Sequence, residues 1–135
     1  MYKSQLIELL GKFSSKEIKE FGEFVESPFF NKNEGVVKLY DYLRKQYPDF
    51  KEKCVGKKYV YTKIFPGARY NDGFMRTLMF NLHALAENYL SYQRFKSEYL
   101  VDKRYLLCEL NDRALNRLFK KNMKAVSKKL NNVSL

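Results

Sequence analysis

Apolar residues recur at three- and four-residue intervals along most of the chain, the pattern of amphipathic helices packed on a shared core. Leu6, Ile7, Leu9 and Leu10 share one side of a short helix over Tyr2–Leu10, which Gly11 can end. Ser14 and Glu17 have capping-box spacing and open a helix over residues 15–26 that carries Ile18, Phe21, Phe24 and Val25. Pro28 pushes the residue before it out of the helical region, so this helix stops by Ser27. Asn33 caps a third helix over residues 34–47, with Val36, Val37, Leu39, Tyr40 and Leu43 as its apolar face, terminating before Pro48.

Residues 48–58 lose the periodicity and read as a loop. The segment Lys57–Phe65 is ambiguous. Its β-branched and aromatic residues suit a strand, while Val60, Ile64 and Phe65 suit a short helix ended by Pro66-Gly67; the helix is the expectation. Asn71 or Asp72 caps the next helix, with Gly73 in its first turn. There Phe74, Leu78, Leu82, Leu85 and Tyr89 form one stripe, widened by Met75, Met79, Ala86 and Leu90, as expected of a helix buried against several others. The 62 residues from Phe74 onward contain no Gly or Pro, so breaks must come from Ser97 and Asn111-Asp112, which offer N-cap side chains. They give a helical hairpin over residues 98–110 and 113–130. The fold class is all-α: a multi-helix bundle or short solenoid-like array of about seven helices, read as one domain over 1–135.

Charge changes this picture because it is unevenly spread. The net charge of +11 is zero over residues 1–50, +4 over 51–112 and +7 over 113–135, where no acidic residue occurs. Such an excess favours nucleic acid, anionic surfaces or acidic proteins without choosing among them. No apolar run is long enough for a membrane span. Two isolated cysteines cannot build a disulfide framework, so a reduced, cytoplasmic setting is expected.

Little catalytic chemistry can be assembled. His83 is the only histidine, which removes multi-histidine metal sites, and it reads as a structural or surface residue. The Gly-Lys pairs at 11–12 and 56–57 lack both the earlier glycine and the following hydroxyl of a phosphate-binding loop. No Gly-x-Ser-x-Gly elbow is present. Cys54 stands among lysines but has no histidine nearby in sequence and reads as inert; Cys108, after Leu106 and Leu107, reads as a small core residue. Glu17, Glu20, Glu23 and Glu26 form a solvated face. A non-catalytic protein without cofactor or metal is expected.

Three features are candidates for binding. On a helical wheel Arg113, Arg117, Lys120, Lys121, Lys124 and Lys128 gather on one face of the last helix, opposite Leu115, Leu118, Phe119, Met123, Val126 and Leu130, with Lys129 as the exception. This basic face is either a solvated exterior or a surface for phosphates or an acidic partner. Phe29 and Phe30, adjacent in a turn, are expected to plug the loop onto the core; exposed, they would be an aromatic anchor. A helix-turn-helix-like element over residues 59–90 would place Arg69 and Arg76 as DNA contacts, although residues 74–81 offer few other polar side chains than Thr77 and Asn81.

The runs Ser27-Pro28-Phe29-Phe30-Asn31-Lys32-Asn33-Glu34 and Ile64-Phe65-Pro66-Gly67 resemble an uncharacterised family of bacterial helical proteins, over about residues 14–120. The resemblance implies an all-α fold and a chain that is the N-terminal part of a longer helical one; it adds no catalytic residue. The expected function is a helical interaction module binding another protein or further helices of its parent chain. The alternative is a basic nucleic-acid-binding domain.

Overall fold

The computed structural model describes residues 4–133, and these are all-helical, with seven α-helices and no strand among them. The chain divides into two compact units, Met1–Leu90 and Ser91–Leu135.

The first unit contains α1 (Gln5–Gly11), α2 (Ser15–Glu26), α3 (Glu34–Arg44), a single 3₁₀ turn (Glu52–Cys54), α4 (Lys57–Ile64) and most of α5 (Asp72–Ser97). Four of its five α-helices start where a side chain satisfies a free N–H group of the first turn, while α4 begins after Gly56 without a side-chain cap. The Ser4 hydroxyl accepts from the Ile7 N–H. The capping box is complete: Ser14 Oγ accepts from the Glu17 N–H, and Glu17 Oε1 accepts from the Ser14 N–H at 2.8 Å. Asn33 Oδ1 accepts from the Gly35 and Val36 N–H groups. Asn71, rather than Asp72, caps α5, its Oδ1 accepting from the Phe74 N–H. Tyr2 and Lys3, expected in the first helix, lie outside the described residues. Gly11 is the last residue of α1, as expected, and Lys12 closes the turn, its N–H donating to the Leu9 and Leu10 carbonyls.

The core of this unit is aromatic. Phe13, Phe21, Phe24, Tyr40 and Tyr89 form one cluster, with Tyr40 edge-on to Phe21 at 4.8 Å. Around it Leu10, Val36, Leu39, Leu43, Met75, Leu78 and Leu82 are fully buried, and each such side chain contributes about 1.5–3 kcal/mol of transfer free energy. Tyrosine hydroxyls of α3 and the turn after it then tie this region to α2 and to the segments between helices. Tyr40 donates to the Ile18 carbonyl, Tyr47 to that of Phe13 and Tyr42 to that of Cys54, each at 2.6 Å. Close approach is enforced at Gly35, where a Cβ would come within 3.0 Å of a Leu78 methyl.

Helix α3 ends at Arg44, short of the expected residue 47, because residues 45–49 wind into turns. The ambiguous segment is helical, with Val60 and Tyr61 buried, and ends before Pro66-Gly67.

The second unit holds the end of α5, then α6 (Tyr99–Asp112) and α7 (Asn116–Val133), the last two packed as a hairpin. Its breaks fall near the expected places, by different devices. Ser97 is the last residue of α5 and its hydroxyl donates backwards to the Arg94 carbonyl, so it caps nothing. Asn111 and Asp112 close α6. The turn is made by Ala114 in the left-handed region, φ 58°, with the Leu115 N–H donating to the Leu110 carbonyl at 2.9 Å and the Ala114 N–H to that of Asn111 at 3.0 Å. This is the pairing of a helix C-terminus that usually selects glycine.

Candidate functional site

The α6–α7 hairpin carries the surface that stands out. Two helices can hide only the stripes that face each other, and Leu110 and Val126 are the buried apolar residues of this unit. Of the thirteen large apolar or aromatic side chains exposed among the described residues, eight belong to these 45 residues, half the length of the first unit. On α7, Leu118 is 44% exposed, Met123 41% and Leu130 48%. The apolar face expected to point at a core is therefore only partly covered: its centre at Phe119 and Val126 is at least half-buried, and its edges are open.

The opposite face is basic at Arg117, Lys120, Lys121, Lys124 and Lys128, all exposed. Arg113, expected on the same helix face, is exposed too but caps the end of α6, ahead of the left-handed Ala114, and so is not part of α7. Arg113 pairs with Glu109 at 3.2 Å. Among the described residues, Arg117, Lys120, Lys121, Lys124 and Lys128 are ion-paired with no carboxylate. Lys129, the exception on the wheel, lies over the Tyr99 ring with Nζ 3.7 Å from its centroid. The same unit stacks Phe95 on Tyr105 at 5.7 Å. Cys108 is exposed, against its expected place in a core, because α6 has apolar residues on more sides than α7 can cover.

The other candidates lie in the first unit. Helices α4 and α5 are joined by residues 65–71, and Gly67 takes φ 80° there. Arg69 is exposed, while Arg76 is engaged by Asp72, Nε to Oδ2 at 3.0 Å. The same carboxylate holds Lys57 at 3.0 Å and accepts from the Tyr70 hydroxyl at 2.6 Å. The Tyr70 hydrogen bond, then Lys57, hold the Asp72 carboxyl below its usual range, and donation to Asp72 pushes the Tyr70 phenol up to about 12. Asp72 thus offsets two cations at the start of α5, the helix on which Phe74 and Phe80 are also exposed.

Phe29 and Phe30 part company. Phe30 stacks on Phe24 with centroids 4.1 Å apart, whereas Phe29 is 88% exposed and meets Phe30 edge-on. The expected plug is therefore met only in part: Phe30 packs one ring face on Phe24 while staying 41% exposed, and among the described residues Phe29 packs on no core ring. The loop is held by Asn31, whose Nδ2 donates to the Val25 carbonyl and whose Oδ1 accepts from the Asn33 N–H. Beside it lies an open cleft of about 500 Å³ lined by residues including Glu26, Pro28, Asn33 and Val37. His83 is partly buried, its Nε2 3.5 Å from Glu87.

The structure thus brings Arg117, Lys120, Lys121, Lys124 and Lys128 together on α7 and leaves Arg113 in the turn before it. Arg69 and Arg76 belong to the first compact unit, and the two phenylalanines differ in their contacts. Sequence reasoning missed the Lys129–Tyr99 pair, for which the only signal was a lysine placed among apolar positions. Among the described residues no helix is long and apolar enough to cross a membrane. Comparison with known proteins gave no matching family model, no matching curated protein and no matching solved structure.

Proposed function

We propose that this chain is a non-catalytic helical interaction module, whose α6–α7 hairpin docks another protein or further helices of its parent chain in a reduced, cytoplasmic setting. One observation carries the reading: Leu118, Met123 and Leu130 remain in water on a helix whose opposite face is wholly polar. Apolar side chains left open beside charged ones are what a covering chain would bury. The two free cysteines agree with the reducing setting.

The test is the triple variant Leu118→Gln, Met123→Gln, Leu130→Gln. Exposed side chains contribute little to the isolated fold, so its unfolding free energy should stay within about 1 kcal/mol of the parent, while fluorescence of an apolar-surface dye falls. A loss of several kcal/mol would make these residues core and remove the docking surface.

The second reading, a basic nucleic-acid-binding domain, is favoured by the α7 cations that are without carboxylate partners. Phosphate contacts release counterions, so such binding should fall with salt at a log–log slope of about −0.9 per duplex phosphate contacted. Binding that survives about 0.15 M salt and shows sequence preference would support it.

A further inference from the structure

We infer that the outer edge of α7 takes an amphipathic helix of another protein that carries carboxylates along the margins of its apolar face. This rests on the docking reading above and names the partner's chemistry. Met123 and Leu130 are seven residues apart, two turns of helix, with the small Ser127 between them on the same edge. That spacing is the seam into which a second helix packs side chain between side chains. At 3.6 residues per turn Lys120 and Lys124 follow at about 60° and 100° around the axis from Met123, where they would flank a helix lying on the seam. Both are exposed and neither is ion-paired with a carboxylate among the described residues. Residues 113–135 contain no acidic residue at all, so the complementary charge has to come from the partner.

The other occupants fit less well. Duplex nucleic acid would engage the lysines and leave Met123 and Leu130 in water. An anionic bilayer needs a continuous apolar face, yet the centre of this one, at Val126, is already buried in the hairpin. A second copy would bring an equally cationic α7 against the first, and like charges repel.

The experiment uses the full chain and two synthetic helix-forming peptides with the same leucine face, one with glutamate and one with lysine at the flanking positions. Binding is followed by fluorescence anisotropy at about 0.1 M salt, where charges act over about 10 Å, and again at about 1 M, where they act over about 3 Å. The glutamate peptide should bind at least about tenfold more tightly than the lysine peptide at low salt, a difference that shrinks at high salt. Met123→Gln with Leu130→Gln should weaken it about tenfold or more, while Lys120→Gln with Lys124→Gln should flatten the salt dependence. Equal binding of both peptides, or of neither, overturns the inferred acidic partner. Binding of the glutamate peptide that ignores Met123 and Leu130 overturns the docking reading as well. A duplex oligonucleotide that binds more tightly than the glutamate peptide, indifferent to the Met123 and Leu130 changes, overturns the inference in favour of phosphate recognition.

Discussion

The Lys129 ammonium sits 3.7 Å from the centroid of the Tyr99 ring, joining the C-terminal part of α7 to the first residue of α6. A cation over a tyrosine face is attracted by the ring quadrupole, by about 0.5–1 kcal/mol at an exposed site. The pair accounts for a lysine that departs from an otherwise clean wheel. Lys128, its neighbour in sequence, stays exposed with the rest of the basic face. The contact ties the two helices of the hairpin together near its open end.

At its other end the hairpin turns through Ala114 in the left-handed conformation, where a Cβ crowds the following carbonyl. Ala114→Gly should remove that crowding and stabilise the chain by about 0.5–1 kcal/mol in a urea titration, the greater freedom of glycine in the unfolded chain offsetting part of the gain. A loss of stability of that size would mean the turn is not left-handed there.

Leu82 is fully buried at the middle of the α5 stripe. Leu82→Ala should cost about 2–5 kcal/mol, combining lost transfer free energy with the cavity left behind. Denaturant midpoints read this directly.

The loop phenylalanines should separate by stability. Phe30→Ser loses the stack on Phe24 and should cost about 1 kcal/mol, whereas Phe29→Ser should stay within about 0.5 kcal/mol of the parent in thermal melts. Equal effects would contradict the exposure of Phe29.

The Tyr70–Asp72 pair gives the chain a pH dependence at both extremes. Asp72 is held below the usual 3.8, so its contribution is present at neutral pH and is lost as pH falls through the lowered value. Tyr70 is raised from 10.0 to about 12, so its contribution is present below pH 10 and is lost as pH rises from there toward 12. Burial also raises Tyr40 and Tyr89, so alkaline destabilisation should persist in Tyr70→Phe but with a shallower slope between pH 10 and 12. Unfolding midpoints of the two proteins across that range decide it.

Much of the fold was legible because its signals are local. Ser14 with Glu17 and Asn33 with Gly35 specify helix starts from a few neighbouring residues, and Leu78, Leu82 and Leu85 mark a buried face by period alone. The turn at Ala114 was not legible, since alanine signals helix continuation and only the packing of α6 on α7 requires a left-handed residue there. The same limit applies to the candidate surface. The wheel separates Met123 and Leu130 from the lysines, but whether an apolar face is covered depends on how many helices surround it. Phe29 and Phe30 are identical in type and adjacent, so no periodicity could tell which one stacks on Phe24. The exposure of Cys108 follows from that shortage of covering helices as well.

The central claim is that the α7 edge is open in the folded chain, and methionine methyl resonances test it most directly. Met75 is fully buried and Met123 is 41% exposed, so one molecule carries both the control and the probe. With a soluble paramagnetic agent added to dilute protein, the Met123 methyl should relax strongly while that of Met75 stays nearly unchanged. Protection of Met123 to the level of Met75 would place the α7 edge inside the fold and contradict the account.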